Sequence, residues 1–239
     1  ANGGSDVSSY SLGGSYTEQG GIIGGSNLSN YKRINFRTNA ERKMYDGALK
    51  IGEHITFSMI NQKGVADGGI YSGNVLAGAI GASSLLAMYD AKGNYLSSLN
   101  STVYNGGVWN NTEANPYALM QYNNQSDGKT QKLIGDVYAE LQPVKNLRIR
   151  SSFGINYSSS ANHSYRPVYD KLSIYAYNLY ESIGQGGSHG YTWNFDNTIN
   201  YVFKIKESRF DVLAGSSVRK YQGTWCSGNN TVATLCSSF

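Results

Sequence analysis

The stretch Leu147-Arg148-Ile149-Arg150-Ser151-Ser152-Phe153-Gly154-Ile155-Asn156-Tyr157-Ser158 decides the fold of this chain. Leu147, Ile149, Phe153, Ile155 and Tyr157 share one parity, and Arg148, Arg150, Ser152 and Asn156 share the other. A period of two is that of a strand, whose side chains alternate between faces. One face here is apolar and the other polar. Residues 190–205 repeat the pattern, with Tyr191, Trp193, Phe195, Ile199, Tyr201 and Phe203 opposing Thr192, Asn194, Asp196 and Asn200. In 31–42, Ile34, Phe36, Thr38 and Ala40 oppose Arg33, Asn35, Arg37 and Asn39. In 49–59 the apolar set Leu49, Ile51, Ile55, Phe57 and Met59 is interrupted by Glu53. Weaker alternation over 7–17, 131–141 and 210–222 brings the expected strands to seven.

The connections alternate as well. Short links are predicted at Met44–Ala48 (holding Asp46-Gly47), Gln142–Asn146 and Lys206–Arg209, and long ones at about 18–30, 61–129 and 159–189. Short turns at one end and long loops at the other are the pattern of a transmembrane antiparallel β-barrel. Eleven residues at ~3.3 Å, tilted ~45°, project to ~26 Å, close to the apolar band of such barrels. Tyr31, Tyr157, Tyr191, Trp193 and Tyr221 lie near predicted strand ends, where interfacial aromatic girdles occur. On this reading the apolar set faces lipid and the polar set faces a lumen. The same alternation suits a soluble β-sandwich whose apolar set faces a protein core. Seven strands at ~4.8 Å make an arc of only ~34 Å, and an open edge in lipid leaves backbone groups unpaired. The expectation is therefore that residues 1–239 are a fragment of a larger barrel.

Composition narrows the classes. The chain has 239 residues, with 15% charged, 29 Gly and 20 Tyr, and a mean hydropathy of −0.41. An aromatic content of 13% argues against disorder, and no apolar run is long enough for a transmembrane helix. The net charge of +4 comes from scattered basic residues, so no nucleic-acid partner is expected. Ala1 to Ser15 lacks the pattern of a signal sequence. Either such a sequence was removed or the chain begins inside a longer one. Cys226 and Cys236 either close a small disulfide or remain thiols.

Ordered local motifs add a resemblance. The segment from Tyr10 to Ser26, with Tyr10, Leu12, Ser15-Tyr16, Gln19, Gly21-Ile22 and Gly25-Ser26, resembles a stretch of SusC-like (RagA-like) TonB-dependent transporters. Tyr31-Lys32-Arg33, Phe36-Arg37-Thr38-Asn39 and Leu49-Lys50-Ile51-Gly52 resemble the hairpin that follows there. Tyr89-Asp90-Ala91-Lys92-Gly93-Asn94-Tyr95, Asn115-Pro116, Leu147 to Gly154, Asn194 to Thr198 and Phe210 to Gly215 continue the likeness in order. The resemblance implies part of a 22-stranded outer-membrane barrel that imports oligosaccharides or oligopeptides. It implies a SusD-like surface lipoprotein as lid, and TonB acting through a plug region that this chain lacks. Outer-membrane lipid would surround the wall.

No catalytic or metal site is predicted. His54, His163 and His189 are isolated, and no Gly-x-Ser-x-Gly motif occurs. No enzyme activity and no cofactor are expected. Val75 to Tyr89 has the periodicity of a short helix within the long 61–129 loop. The candidate ligand contacts are loop aromatics and amides: Tyr104, Trp109, Asn111, Tyr117, Tyr165 and Tyr175. Aromatic faces give contact area and amides give directional bonds, which suits sugar or peptide. The alternative is that these tyrosines pack on one another, on a plug or on a lid. The rival function is a secreted, soluble β-sandwich binding module or adhesin.

Overall fold

A computed structural model of the chain describes residues 1–65, 74–84, 87–96, 114–169 and 171–231. Its strands are β1 (Asn2–Ser5), β2 (Ser8–Gly20), β3 (Asn30–Met44), β4 (Leu49–Lys63), β5 (Ser126–Val144), β6 (Leu147–Arg166), β7 (Ser182–Ile205) and β8 (Ser208–Thr231). They form one antiparallel meander in chain order. All seven predicted strands are present. The eighth, β1, is Asn-Gly-Gly-Ser, which holds no large apolar residue to reveal a period. Three short helices lie in the loops: α1 (Gly25–Leu28), α2 (Val75–Gly81) and α3 (Pro116–Tyr122). α2 is the predicted helix, shorter than the 75–89 expected for it. α3 was not predicted.

Each hairpin closes with a tight turn at one end of the sheet. Tyr45, Asp46 and Gly47 adopt φ of 53°, 56° and 91° between β3 and β4. Asn146 at φ 73° turns β5 into β6, and Lys206 at φ 54° turns β7 into β8. Asn and Gly tolerate this left-handed region because their side chains are short or missing. At the other end the connections span 21–29, 64–125 and 167–181.

The register supplies a second geometric fact. Ser5–Ser8 closes the first hairpin, and Met44–Leu49 closes the next two residues further down the sheet. Val144–Leu147 lies two residues beyond that, and Ile205–Ser208 another four. A stagger of eight residues across six strand steps is ~26 Å against ~29 Å, a tilt of ~42° if the turns share one level. Barrels close with strands tilted about 35–45°.

The two faces match the alternation of the sequence. Phe153 lies opposite Val137 and Phe195, and Ile149 opposite Leu141 and Ile199. Ile34, Phe36, Ile51, Phe153, Phe195 and Ile199 remain 41–52% exposed, with no second layer of described residues over them. By contrast, the buried strand residues Gly52, Ser58, Tyr138, Gly154 and Gly186 all belong to the polar face. Side chains crowd on the inside of a curved sheet, so the polar face is the concave one. A sandwich would bury the opposite face. The apolar belt has polar interruptions: Glu53 Oε1 accepts a bond from Thr38 Oγ1 at 2.9 Å, Asn197 Oδ1 accepts one from Ser151 Oγ at 2.6 Å, and Lys220 lies opposite Trp193.

The belt has defined rims. Above it, Glu18, Lys32, Asn61 and Lys129 form one register row, with a Lys32–Glu18 ion pair at 2.9 Å. Tyr157 and Tyr191 lie opposite each other just below. At the turn end Tyr201, Phe203 and Phe210 stack with centroids 5.5 and 5.3 Å apart. Of the five aromatics expected in girdles, Tyr157, Tyr191 and Trp193 lie on the apolar face. Tyr31 and Tyr221 do not: register puts them on the polar face, beside Gln62 and Thr192. Proximity to a strand end had placed them, and parity overrules it.

Phe153→Arg is expected to destabilise the reconstituted full-length protein by about 2–4 kcal/mol, and Asn156→Arg by under about 1 kcal/mol. Denaturant titration in lipid checks this; equal effects would contradict the two-faced wall.

Candidate functional site

The concave face is built from alternate residues of seven strands, and near the turn end it is bonded to itself. Tyr138 on β5 donates its hydroxyl to Glu41 Oε2 at 2.7 Å. Arg150 covers the Tyr138 ring at 4.0 Å, and His54 stacks beside it at 5.7 Å. Lys50 and Glu140 pair with Glu41 and Arg150 at 3.5 and 3.9 Å. His54 Nδ1 meets Asp136 at 3.2 Å. Gly52 makes room for the ring, since a Cβ there would lie 2.5 Å from Tyr138 Cζ. Higher up, Arg33, Asn35, Ser58 and Ser15 form a chain of bonds between 2.7 and 3.5 Å. On β7 and β8, Asp196 accepts from Asn194 and Ser217, each at 2.5 Å. A watery lumen admits such charges at little cost, whereas a dry core exacts a large penalty.

The loop end carries a separate packed unit. Val75, Ala118, Leu119, Tyr169, Leu172 and Ala176 are buried together, with Ile23 and Leu28 against them. Three loops thus share one apolar cluster. Asn115 is 2% exposed and ties the cluster down. Its Oδ1 accepts from Tyr117 N and Ala118 N at 3.0 and 3.2 Å, capping α3, and its Nδ2 donates to Met88 O and Leu96 O. Tyrosines 89, 95, 117, 122 and 169 contact in series, with centroids 4.8–6.0 Å apart. Between Tyr89 and Tyr95, Asp90 accepts from Lys92 N and Asn94 N at 2.8 Å, and Gly93 turns the chain at φ 85°. The Asn94 side chain, then its backbone N–H, holds the Asp90 carboxyl below the usual carboxylate range.

The predicted contacts fall in different places. Tyr104, Trp109 and Asn111 lie outside the described residues, as does Cys236; Cys226 is exposed on β8. Tyr117 is in α3, inside the tyrosine series. Tyr175 is exposed in the 167–181 loop. Tyr165 is not a loop residue: it ends β6, and its hydroxyl donates to Glu181 Oε1 at 3.2 Å. The strands reach well beyond the apolar belt, so residues 159–166 and 182–189 extend the wall. Two cavities lie there, of about 550 and 260 Å³, and both are lined by Asn162. Sequence reading missed this groove because both faces are polar above the belt, which leaves no apolar period. The serines and glycines of 158–164 and 184–190 were the available signal.

Together, the exposed apolar belt, the polar concave face, the tilt and the unequal ends define a segment of transmembrane β-barrel wall. No protein-family profile matches the chain. It is similar to TonB-dependent receptor P3 of Formosa agariphila, at 25% identity over 232 residues, covering 92% of this chain and 21% of the relative. Among solved structures it is similar to a chain of the RagAB peptide importer in its open-open state. That match has a TM-score of 0.75 and 21% identity, covering 96% of this chain and 24% of the other. The closed-closed state gives a TM-score of 0.72 at 19% identity, covering 97% and 24%. The fold is thus that of the RagAB barrel wall, and the chain spans about a fifth to a quarter of these relatives.

Two substitutions probe the two ends. Tyr138→Phe removes the hydroxyl bond to Glu41, leaving it Lys50 alone, and is expected to cost about 1.5–3 kcal/mol in denaturant titration, the range for bonds to charged groups. Asn115→Ala removes a helix cap worth about 1 kcal/mol and two further bonds. It is expected to speed protease cleavage in the loops without changing barrel unfolding.

Proposed function

We propose that the chain is wall and outer loops of an outer-membrane active transporter that imports oligosaccharides or oligopeptides. The observation that carries this is the single tilted sheet with its apolar face uncovered and its polar face concave. Likeness to a protein named as a TonB-dependent receptor supports energy coupling through TonB. Likeness to a structure described as a peptide importer supports nutrient uptake and a lid partner of the SusD-like class. The role of this segment is passive: it carries no covalent chemistry, surrounds the translocation path with fixed polar groups, and offers loops to cargo and lid. Tyr117, Tyr165 and Tyr175 are proposed loop contacts, together with Tyr104, Trp109 and Asn111. A soluble sandwich needs a second sheet over the apolar belt, and the described residues form one sheet.

The native protein is expected to stay with the membrane during carbonate extraction and to change gel mobility on heating. It should copurify with a surface lipoprotein and show uptake that an uncoupler abolishes. Release by carbonate without detergent would overturn the proposal.

A further inference from the structure

The polar face changes character along its height. Below, its side chains are engaged with each other, as at Tyr138–Glu41 and Asn35–Ser58. At the loop end one register row reads Gln19, Tyr31, Gln62, Gly128, Asn162 and Gly186. Among the described residues, the side chains of Gln19, Gln62, Asn162 and Asn229 make no hydrogen bond within the protein. The two cavities run along this row and meet at Asn162.

None of the polar-face side chains that line the two cavities is charged. Lys63 and Asp127 border the larger cavity, but their register positions belong to the opposite face. The cavity-lining side chains on the polar face are amides, hydroxyls and aromatics. Glycines give the trough its floor: a Cβ on Gly186 would lie 2.6 Å from Asn162 Oδ1, and one on Gly184 2.5 Å from Ser164 Oγ. Those two polar side chains therefore lie over β7 instead of standing away from it. Ser160 and Ser188 share a 2.7 Å bond, and Trp225 follows Ser188 in the same row, exposed at the edge of the smaller cavity.

We propose that this trough, centred on Asn162 and Trp225, is a binding subsite for a neutral oligosaccharide. Sugar hydroxyls both donate and accept, as do the amides and serines here, and a pyranose C–H face can lie on an indole. The polar-face side chains that line the trough offer a charged peptide or an acidic sugar no charge-assisted bond, so nothing in the lining favours either over a neutral sugar. Gly186 and Gly184 keep the floor low enough for a ring to approach. The inference rests on the transporter reading and narrows its cargo at this site.

The test uses the full-length transporter with its partner lipoprotein, in detergent, on an array of neutral gluco-, xylo-, manno- and galacto-oligosaccharides. Uronate-containing and sulfated sugars and tryptic casein peptides are the comparison arms. Retention of neutral sugars is expected, weakened at least tenfold by Trp225→Ala and by Gly186→Leu and unchanged by Ser159→Ala on the opposite face. Heat-dependent mobility shows that each variant is folded. Binding of peptides or acidic sugars alone, no binding of any neutral sugar by folded protein, or affinity unmoved by both trough variants overturns the subsite and leaves the transporter standing. Release of the protein by carbonate overturns both.

Discussion

Everything in this structure follows from a medium that offers no hydrogen bond. In lipid an unpaired backbone N–H or C=O finds no partner, so a strand must be paired along both edges and present only apolar side chains outward. Each neighbouring pair in the β1–β8 meander is bonded along its length. The apolar residues accordingly stand on the convex face, uncovered, while the Tyr138–Glu41–Arg150 network and the Arg33–Asn35–Ser58 chain line the concave one. In a water-soluble sheet the same residues would be arranged the other way round, with the apolar face as the crowded one. The burial of Tyr138, Ser58 and three glycines on the polar side is the inverse of a soluble core.

The polar face is thus the interior, and its lower half holds its own shape. Tyr138, Glu41, Arg150 and His54 satisfy one another, so their side chains are fixed before anything enters the lumen. The loop end is organised differently. There the apolar cluster around Leu119 and Tyr169 binds three loops into one unit, and Asn115 supplies its internal bonds. A firm wall below and a folded loop assembly above leave the trough at Asn162 between them.

Much of this was legible in the residues. Period-two alternation located seven strands and assigned their faces, because lipid on one side and water on the other impose opposite chemistry on alternate positions. Asp46-Gly47 and the short links gave the turn end. Legibility stopped where that contrast stopped. Above the belt water bathes both faces, so Ser159 to Ser164 carry no apolar period and read as loop, although they continue β6. β1 was hidden because Asn2-Gly3-Gly4-Ser5 holds no large apolar residue to show a period. Tyr31 and Tyr221 looked like girdle residues until register showed their parity. In the loops the tyrosines were visible but their partners were not. Contacts such as Tyr122 with Tyr169 join distant segments, and only the fold brings them together.

The most direct test is a spin-label scan of β6 from Leu147 to Arg166 in the full-length protein, reconstituted in lipid. Through residues 147–157 odd positions should collide with oxygen dissolved in the bilayer and even positions with a water-soluble nickel complex. From 159 onward both parities should report water. Nickel accessibility at both parities across 147–157, or oxygen accessibility on the even positions, would contradict a barrel wall with its apolar face in lipid.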